Sequence, residues 1–186
     1  MESQKPQQVG RLIWDPRAGI VADGAVQYLV MRADSLMQLF ATLPVEIRAV
    51  ALLALERSVY DNGMKSLSRY LGERSGQVDG LAAMVEGVSA QLGWGRWALR
   101  RAPDGWHLVV RNSPFAAGYG TAGVTVCAPI VGMFGALSEC LLGTPCHVVE
   151  VCCVAAGASE CRFLATGQPQ KQNAAQGANP HAGTME

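Results

Sequence analysis

The sequence is short of charge and has no excess of either sign. Lys+Arg and Asp+Glu both count 15 in 186 residues, so charged side chains make up 16% of the chain. Without a basic surplus to neutralise phosphates, general nucleic-acid binding is excluded as an expectation, and nothing points to a polyanionic or anionic-membrane partner. The opening residues, MESQKPQQVGR, lack the apolar stretch of a secretory leader. The apolar run from Val124 to Leu142 contains Pro129, Glu139 and several small residues, and reads as a buried helix with a glycine-rich face, not a membrane span. No G-x-x-x-x-G-K-[ST] loop and no basic recognition helix are present. GYGTAG at 118–123 comes near a dinucleotide fingerprint but lacks the strand-to-helix setting, and reads as a loop. No Ser/His/Asp grouping is evident. The expected setting is cytoplasmic, where thiols stay reduced, so the six cysteines point to a metal or to buried thiols before disulfides.

Residues 1–10 read as a flexible leader and residues 167–186 as a disordered tail, because the tail has almost no large apolar side chains to bury; His181 lies there as a solvated residue. Residues 11–166 read as one domain. Two short apolar runs between 11 and 32, broken by DPRAG and ADG, predict strands with turns that could join the main sheet. A helix capped by Asp34 or Ser35 follows. A longer amphipathic segment opens after Pro44, with Gly63 as a possible interruption, and a further helix covers 78–93. After Gly93 the apolar period becomes two, and APDG signals a hairpin. A helix from about Pro129 to Leu142 and a second hairpin, CHVVEVCCV with ECRFLAT, complete an α+β domain: an antiparallel sheet packed with helices.

The cysteines carry the sharpest pattern. Cys127, Glu150, Cys153 and Cys161 are spaced C-x22-E-x2-C-x7-C. Three thiolates and a carboxylate supply the four ligands of a closed tetrahedral zinc site. Such an ion would staple a helix start to a hairpin, and the helix N-terminus would favour the thiolate of Cys127. One obstacle stands: residues three apart on a flat strand face opposite ways, so Glu150 and Cys153 converge only if the ladder ends or bulges between them, with Gly157 making the turn. Spacing alone leaves open that these cysteines are small buried hydrophobes. Cys140, Cys146 and Cys152 are expected to be core thiols.

The stretch from Gly123 to Gly167, GVTVCAPIVGMFGALSECLLGTPCHVVEVCCVAAGASECRFLATG, resembles the C-terminal half of the 4-vinyl-reductase-like domain family through Cys127, Glu150, Cys153, Gly157, Cys161 and Phe163. RNSPFA at 111–116 is similar to the family's segment after the preceding strand, and RLIWDPRAGIVADG with QYLVMRADSL is similar to the sensory domains of phenol- and xylene-responsive activators. The resemblance spans roughly 11–166. It implies the fold shared with Golgi tethering subunits and nitric-oxide-sensing haem domains. It also implies zinc on Cys127, Glu150, Cys153 and Cys161, and a pocket for a small apolar or aromatic ligand. Trp106 matches a pocket tryptophan of the phenol sensors, and its indole N–H could donate to a ligand hydroxyl; it could equally be a core aromatic. Those sensors also use a histidine, at a position that falls near Val78, and this chain has no histidine before His107. Phenol itself is therefore not carried over. His107 and His147 are expected on the strand surface.

The expectation is a zinc-containing sensory or regulatory domain for an apolar or aromatic ligand, acting as a homodimer or through a separate regulatory protein. The alternatives are a tetrapyrrole-handling or vinyl-reductase-like protein of (bacterio)chlorophyll-type pathways, and a structural assembly module with an apolar dimer face on helices within 45–71. Catalysis is disfavoured, since a closed zinc site has no open position and no reductant-binding motif is present.

Overall fold

The computed structural model describes residues 7–9, 12–73, 78 and 80–167, the first three through their backbone alone. Four short strands come first: β1 (Gln7–Val9), β2 (Leu12–Asp15), β3 (Ile20–Asp23) and β4 (Val26–Tyr28). They form a meander of their own, in the order β1-β2-β3-β4, and do not join the main sheet as the sequence allowed. Tight turns account for this. Asp15 Oδ1 accepts the N–H groups of Arg17 and Ala18 at 2.9 and 3.0 Å, and only two residues separate β3 from β4. Each strand therefore folds back on its neighbour and satisfies its ladder locally. β1 falls inside the stretch expected to be a loose leader; the rest of that leader, and the tail from 168 onward with His181, lie outside the described residues.

Helix α1 (Ala33–Ala41) begins one residue before Asp34. Neither Asp34 nor Ser35 caps it: Asp34 sits in the first turn, where its carboxylate pairs with Arg32 and accepts the Ser35 N–H. Helix α2 (Val45–Glu73) runs without a break through Gly63. The glycine is there for packing. A Cβ at Gly63 would lie 2.9 Å from Met133 Sδ, and one at Gly132 would lie 2.2 Å from the Glu56 carbonyl oxygen. Small residues on both surfaces thus let α2 approach α5 (Ala128–Leu142) closely.

Helix α3 (Leu81–Gln91) leads through a short turn into β5 (Arg96–Ala102), which pairs with β6 (Gly105–Arg111). After α4 (Pro114–Tyr119) and α5 come β7 (Cys146–Cys152) and β8 (Cys161–Gly167). The second sheet is antiparallel in the order β5-β6-β8-β7. Glu86 on α3 accepts the Leu99 N–H at 2.6 Å, which occupies a donor on the edge strand β5. Strand alternation sorts the two faces. Leu108, Val110, Phe163 and Ala165 are buried in one core with Ile130, Phe134 and Leu137 of α5, while Arg111 and Arg162 point outward. The α+β class read from the sequence is the observed one. No helix among the described residues is long and apolar enough to cross a membrane.

Candidate metal centre

Four side chains from three places in the chain meet at one end of the second sheet. Cys127 is the residue that caps α5, Cys161 opens β8, and Glu150 and Cys153 flank the end of β7. The obstacle in the sequence is removed by a bulge: the β7–β8 register shifts between Glu150 and Cys152. Cys153 then leaves the ladder into a single 3₁₀ turn, Val154–Ala156, closed by Gly157 at φ 94°, a left-handed conformation that favours glycine. The bulge re-aims Glu150 and the turn brings Cys153 back beside it.

The geometry fits a tetrahedral ion. Sulfur ligands at about 2.3 Å from zinc set sulfur–sulfur edges near 3.8 Å. The three Sγ atoms here are 3.7 Å (Cys127–Cys161), 3.9 Å (Cys127–Cys153) and 4.0 Å (Cys153–Cys161) apart. With a carboxylate oxygen of Glu150, all four donor atoms lie within 4.8 Å of one another, so the cluster could hold a metal ion. The three cysteines are fully buried. Glu150 Oε2 accepts the Cys127 N–H at 2.9 Å, whereas Oε1 is buried and makes no hydrogen bond among the described residues. A buried carboxylate oxygen without a partner is costly, and a cation would supply the missing one.

The electrostatics follow from crowding four acids into one dry spot. The Cys127 thiol is pushed far above its ordinary range by hydrogen bonds to Cys153 and Cys161 and by burial. Cys161 is held low by its hydrogen bonds with Cys127 and Cys153 and by the Val154 N–H, which donates to its sulfur. Burial, with the neighbouring Cys153, raises Glu150 to about 8.

Ser113, which the sequence reading did not single out, supports the site. Its Oγ accepts the Ala116 N–H at 3.3 Å at the start of α4, and lies 3.3 Å from Cys127 Sγ. Ser followed by Pro at a helix start is a capping signature, which could have marked it. Cys140, Cys146 and Cys152 were expected in the core but are only half-buried: Cys152 is opposite the exposed Arg162, and Cys140 and Cys146 lie near the C-terminal end of α5.

Trp106 stands on β6 opposite Arg101 and Ala165, partly buried, and its indole N–H is buried with no hydrogen-bond partner among the described residues. His107 turns to the other face and bonds Asp104 at 2.8 Å, and His147 is exposed on β7, both as alternation implies. Val78 is exposed. An apolar cavity of about 110 Å³ lies elsewhere, between α2 and α3 and beneath β4. Tyr28, Tyr70, Met84, Trp94 and Met133 line it, and Trp106 does not. Trp94 is fixed edge-on against Phe115, with ring centroids 5.1 Å apart.

Residues 106–166 match the family model of the 4-vinyl-reductase domain. The match covers about a third of the chain. No curated protein matches the chain in sequence. Among solved structures, the phenol-responsive sensory domain of the transcription activator PoxR, crystallised with phenol, is 21% identical with a TM-score of 0.68, over 84% of this chain and 85% of that one. The chain shares that fold. A vinyl-4-reductase family protein from Methanocaldococcus jannaschii is 11% identical over 76% of this chain and 98% of that one, with a TM-score of 0.49. Subunit 3 of a trafficking protein particle complex from Naegleria fowleri, covalently bound to palmitic acid, is 12% identical over 74% and 95%, with a TM-score of 0.48.

Proposed function

We propose that this protein is a zinc-holding sensory domain that binds a small apolar or aromatic molecule. The observation that carries the reading is the cavity between α2 and α3. Its lining is mostly apolar and aromatic, with Asp23, Ser66, Arg69 and Ser89 as the polar exceptions. An engineered apolar cavity of roughly 150 Å³ takes up benzene, so a space of about 110 Å³ is of the order needed for a single ring. A few polar groups among apolar walls is the usual composition of a small-molecule site.

Cys127, Glu150, Cys153 and Cys161 would hold the zinc. The ion supplies a structural cross-link, and with four protein donors it leaves no position for substrate. What the chain's own residues do is bring the start of α5 to the β7–β8 turn, and α5 contributes Met133 to the cavity wall. A cytoplasmic setting suits thiols that must stay reduced. Trp106 belongs to the proposal as a separate donor: its unpaired indole N–H could receive a ligand hydroxyl.

A homodimer is the expected assembly. The first half of α2 exposes Val45, Ile47, Val50 and Leu53, and Leu39 of α1 is exposed as well. An exposed apolar patch of this kind commonly marks an interface. The same patch is what favours the second reading, an assembly module without a ligand.

The experiment is a thermal-shift titration with simple aromatics on the wild type and on Val88→Phe, which fills the cavity. Ligand binding to the native state raises Tm with concentration. The wild type should respond and the variant should not, with equal metal content in both. Identical responses would remove the cavity as the binding site; no response in the wild type would leave the assembly reading.

A further inference from the structure

The outer face of the β5-β6-β8-β7 sheet concentrates positive charge in a chain whose total is balanced. A concavity of about 660 Å³ there is lined by residues of β5, β6 and β8 and by Glu160. Five of its lining residues are arginines, Arg96, Arg100, Arg101, Arg111 and Arg162, against the single carboxylate of Glu160. A third of the chain's Lys and Arg residues thus surround one depression.

The internal pairing does not use these charges up. Glu160 binds Arg111 at 3.1 Å and Arg162 at 2.9 Å. Arg96 and Arg100 have no ion-pair partner among the described residues. Moreover, Arg96 and Arg111 are directly opposite each other on β5 and β6. Like charges at opposed positions destabilise a sheet. A fold that holds them there gains from an anionic partner and loses from its absence.

The chemistry of the face narrows the partner. Guanidinium groups present a planar fork that fits carboxylates and phosphates in pairs of hydrogen bonds. Between the arginines, however, the floor is Ala98 and Val109, and no Trp, Tyr or Phe lines the depression. Single-stranded nucleic acid binds through aromatic stacking as well as charge, and this surface has no ring to offer beyond His107, already bonded to Asp104. Aliphatic patches between arginines suit a polypeptide, with methylene groups between its carboxylates. We propose that this face docks an acidic segment of a partner protein, with Arg96, Arg100, Arg111 and Arg162 receiving its glutamate or aspartate side chains.

The face is separate from the cavity and the metal cluster, so its test is independent of both. The full chain is titrated against a fluorescent glutamate-rich peptide, and against an oligothymidylate of matched charge, by anisotropy at low salt. The wild type should bind the peptide more tightly than the oligonucleotide, and added salt should weaken it. Arg96→Gln/Arg100→Gln should lose roughly tenfold or more in peptide affinity. Its Tm should hold or rise, because a charge facing Arg111 has been removed. Arg96→Lys/Arg100→Lys should recover part of the binding, and Arg57→Gln, on α2 and outside this face, should match the wild type. No peptide binding by the wild type, unchanged affinity in the Gln double variant, or tighter binding of the oligonucleotide would each overturn the proposal.

Discussion

Cys127 Sγ lies 3.7 Å from Cys161 Sγ, although the two residues are 34 positions apart in the chain. One caps α5 and the other opens β8, so this contact joins a helix to the sheet it packs on. If the two sulfurs hold zinc, as proposed, neither can be exchanged for a hydroxyl without losing an edge of the tetrahedron. Cys161→Ser should therefore lose the metal and lower Tm sharply. Structural zinc contributes apparent binding free energies of about 10–16 kcal/mol in small domains, far above the cost of one altered core side chain. Elemental analysis of the purified variant checks it; unchanged zinc content would show that the ligand set is wrong.

The four candidate ligands were legible in the sequence because cysteine and glutamate at short spacing near a glycine turn are unusual in a chain with so little charge. What the spacing could not show was how Glu150 and Cys153 meet. That depends on a register shift between β7 and β8, a tertiary property of two strands, not a pattern in one. The same limit explains the N-terminal strands. Their alternation and turns were visible, but whether four short strands join a distant sheet or close on themselves is decided by long-range packing. The continuity of α2 through Gly63 was hidden for a related reason: the glycine answers to Met133 and Ala136 on α5, which local propensity does not see. The cavity beside Trp94 had no local signal, because its walls come from β4, α2, α3 and α5 together.

Two glycines in helices separate packing from propensity. At Gly132 an added Cβ would lie 2.2 Å from a backbone oxygen of α2, which cannot move alone. Gly132→Ala should push α2 from α5 and cost about 1–3 kcal/mol or more, as overpacking does. Gly87 on α3 has nothing within 4 Å of its would-be Cβ. Gly87→Ala should stabilise by about 0.5–1 kcal/mol through helix propensity. Chemical denaturation of both variants measures the two signs, and a destabilised Gly87→Ala would contradict the open space at α3.

The Tyr60 hydroxyl donates to Glu139 Oε2 at 2.5 Å, while Glu139 Oε1 accepts the Cys146 N–H, so one carboxylate ties α2 and β7 to α5. That hydrogen bond, with burial, raises the Tyr60 phenol from 10.0 to about 12. The raised value means that the folded state prefers the neutral phenol. Its contribution is fully present below pH 10, falls as pH rises from 10, and is lost by about 12. Tyrosinate absorbance should show one tyrosine titrating late, and Tyr60→Phe should remove that component and cost roughly 1–2 kcal/mol at neutral pH. A variant with the same late titration would place the raised phenol elsewhere.

Trp106 offers the most selective test of ligand chemistry. Its indole N–H is buried without a partner, a state that costs about 1–3 kcal/mol relative to a satisfied donor. Trp106→Phe keeps an aromatic ring and removes the donor. Any metal content should be unchanged, since Trp106 is none of the four residues that could hold an ion. A ligand hydroxyl that pairs with this N–H would be felt only by hydroxylated aromatics. Because Trp106 does not line the cavity beside Trp94, it would act only on a ligand held at a separate place on β6, and there the variant should weaken a phenol-type ligand roughly tenfold while leaving its deoxy analogue nearly unaffected. Calorimetric titration of the two ligands against both proteins reads the difference. Equal losses for both would make Trp106 a packing residue, and no loss for either would leave the cavity at Trp94 as the sole place where the ring is held.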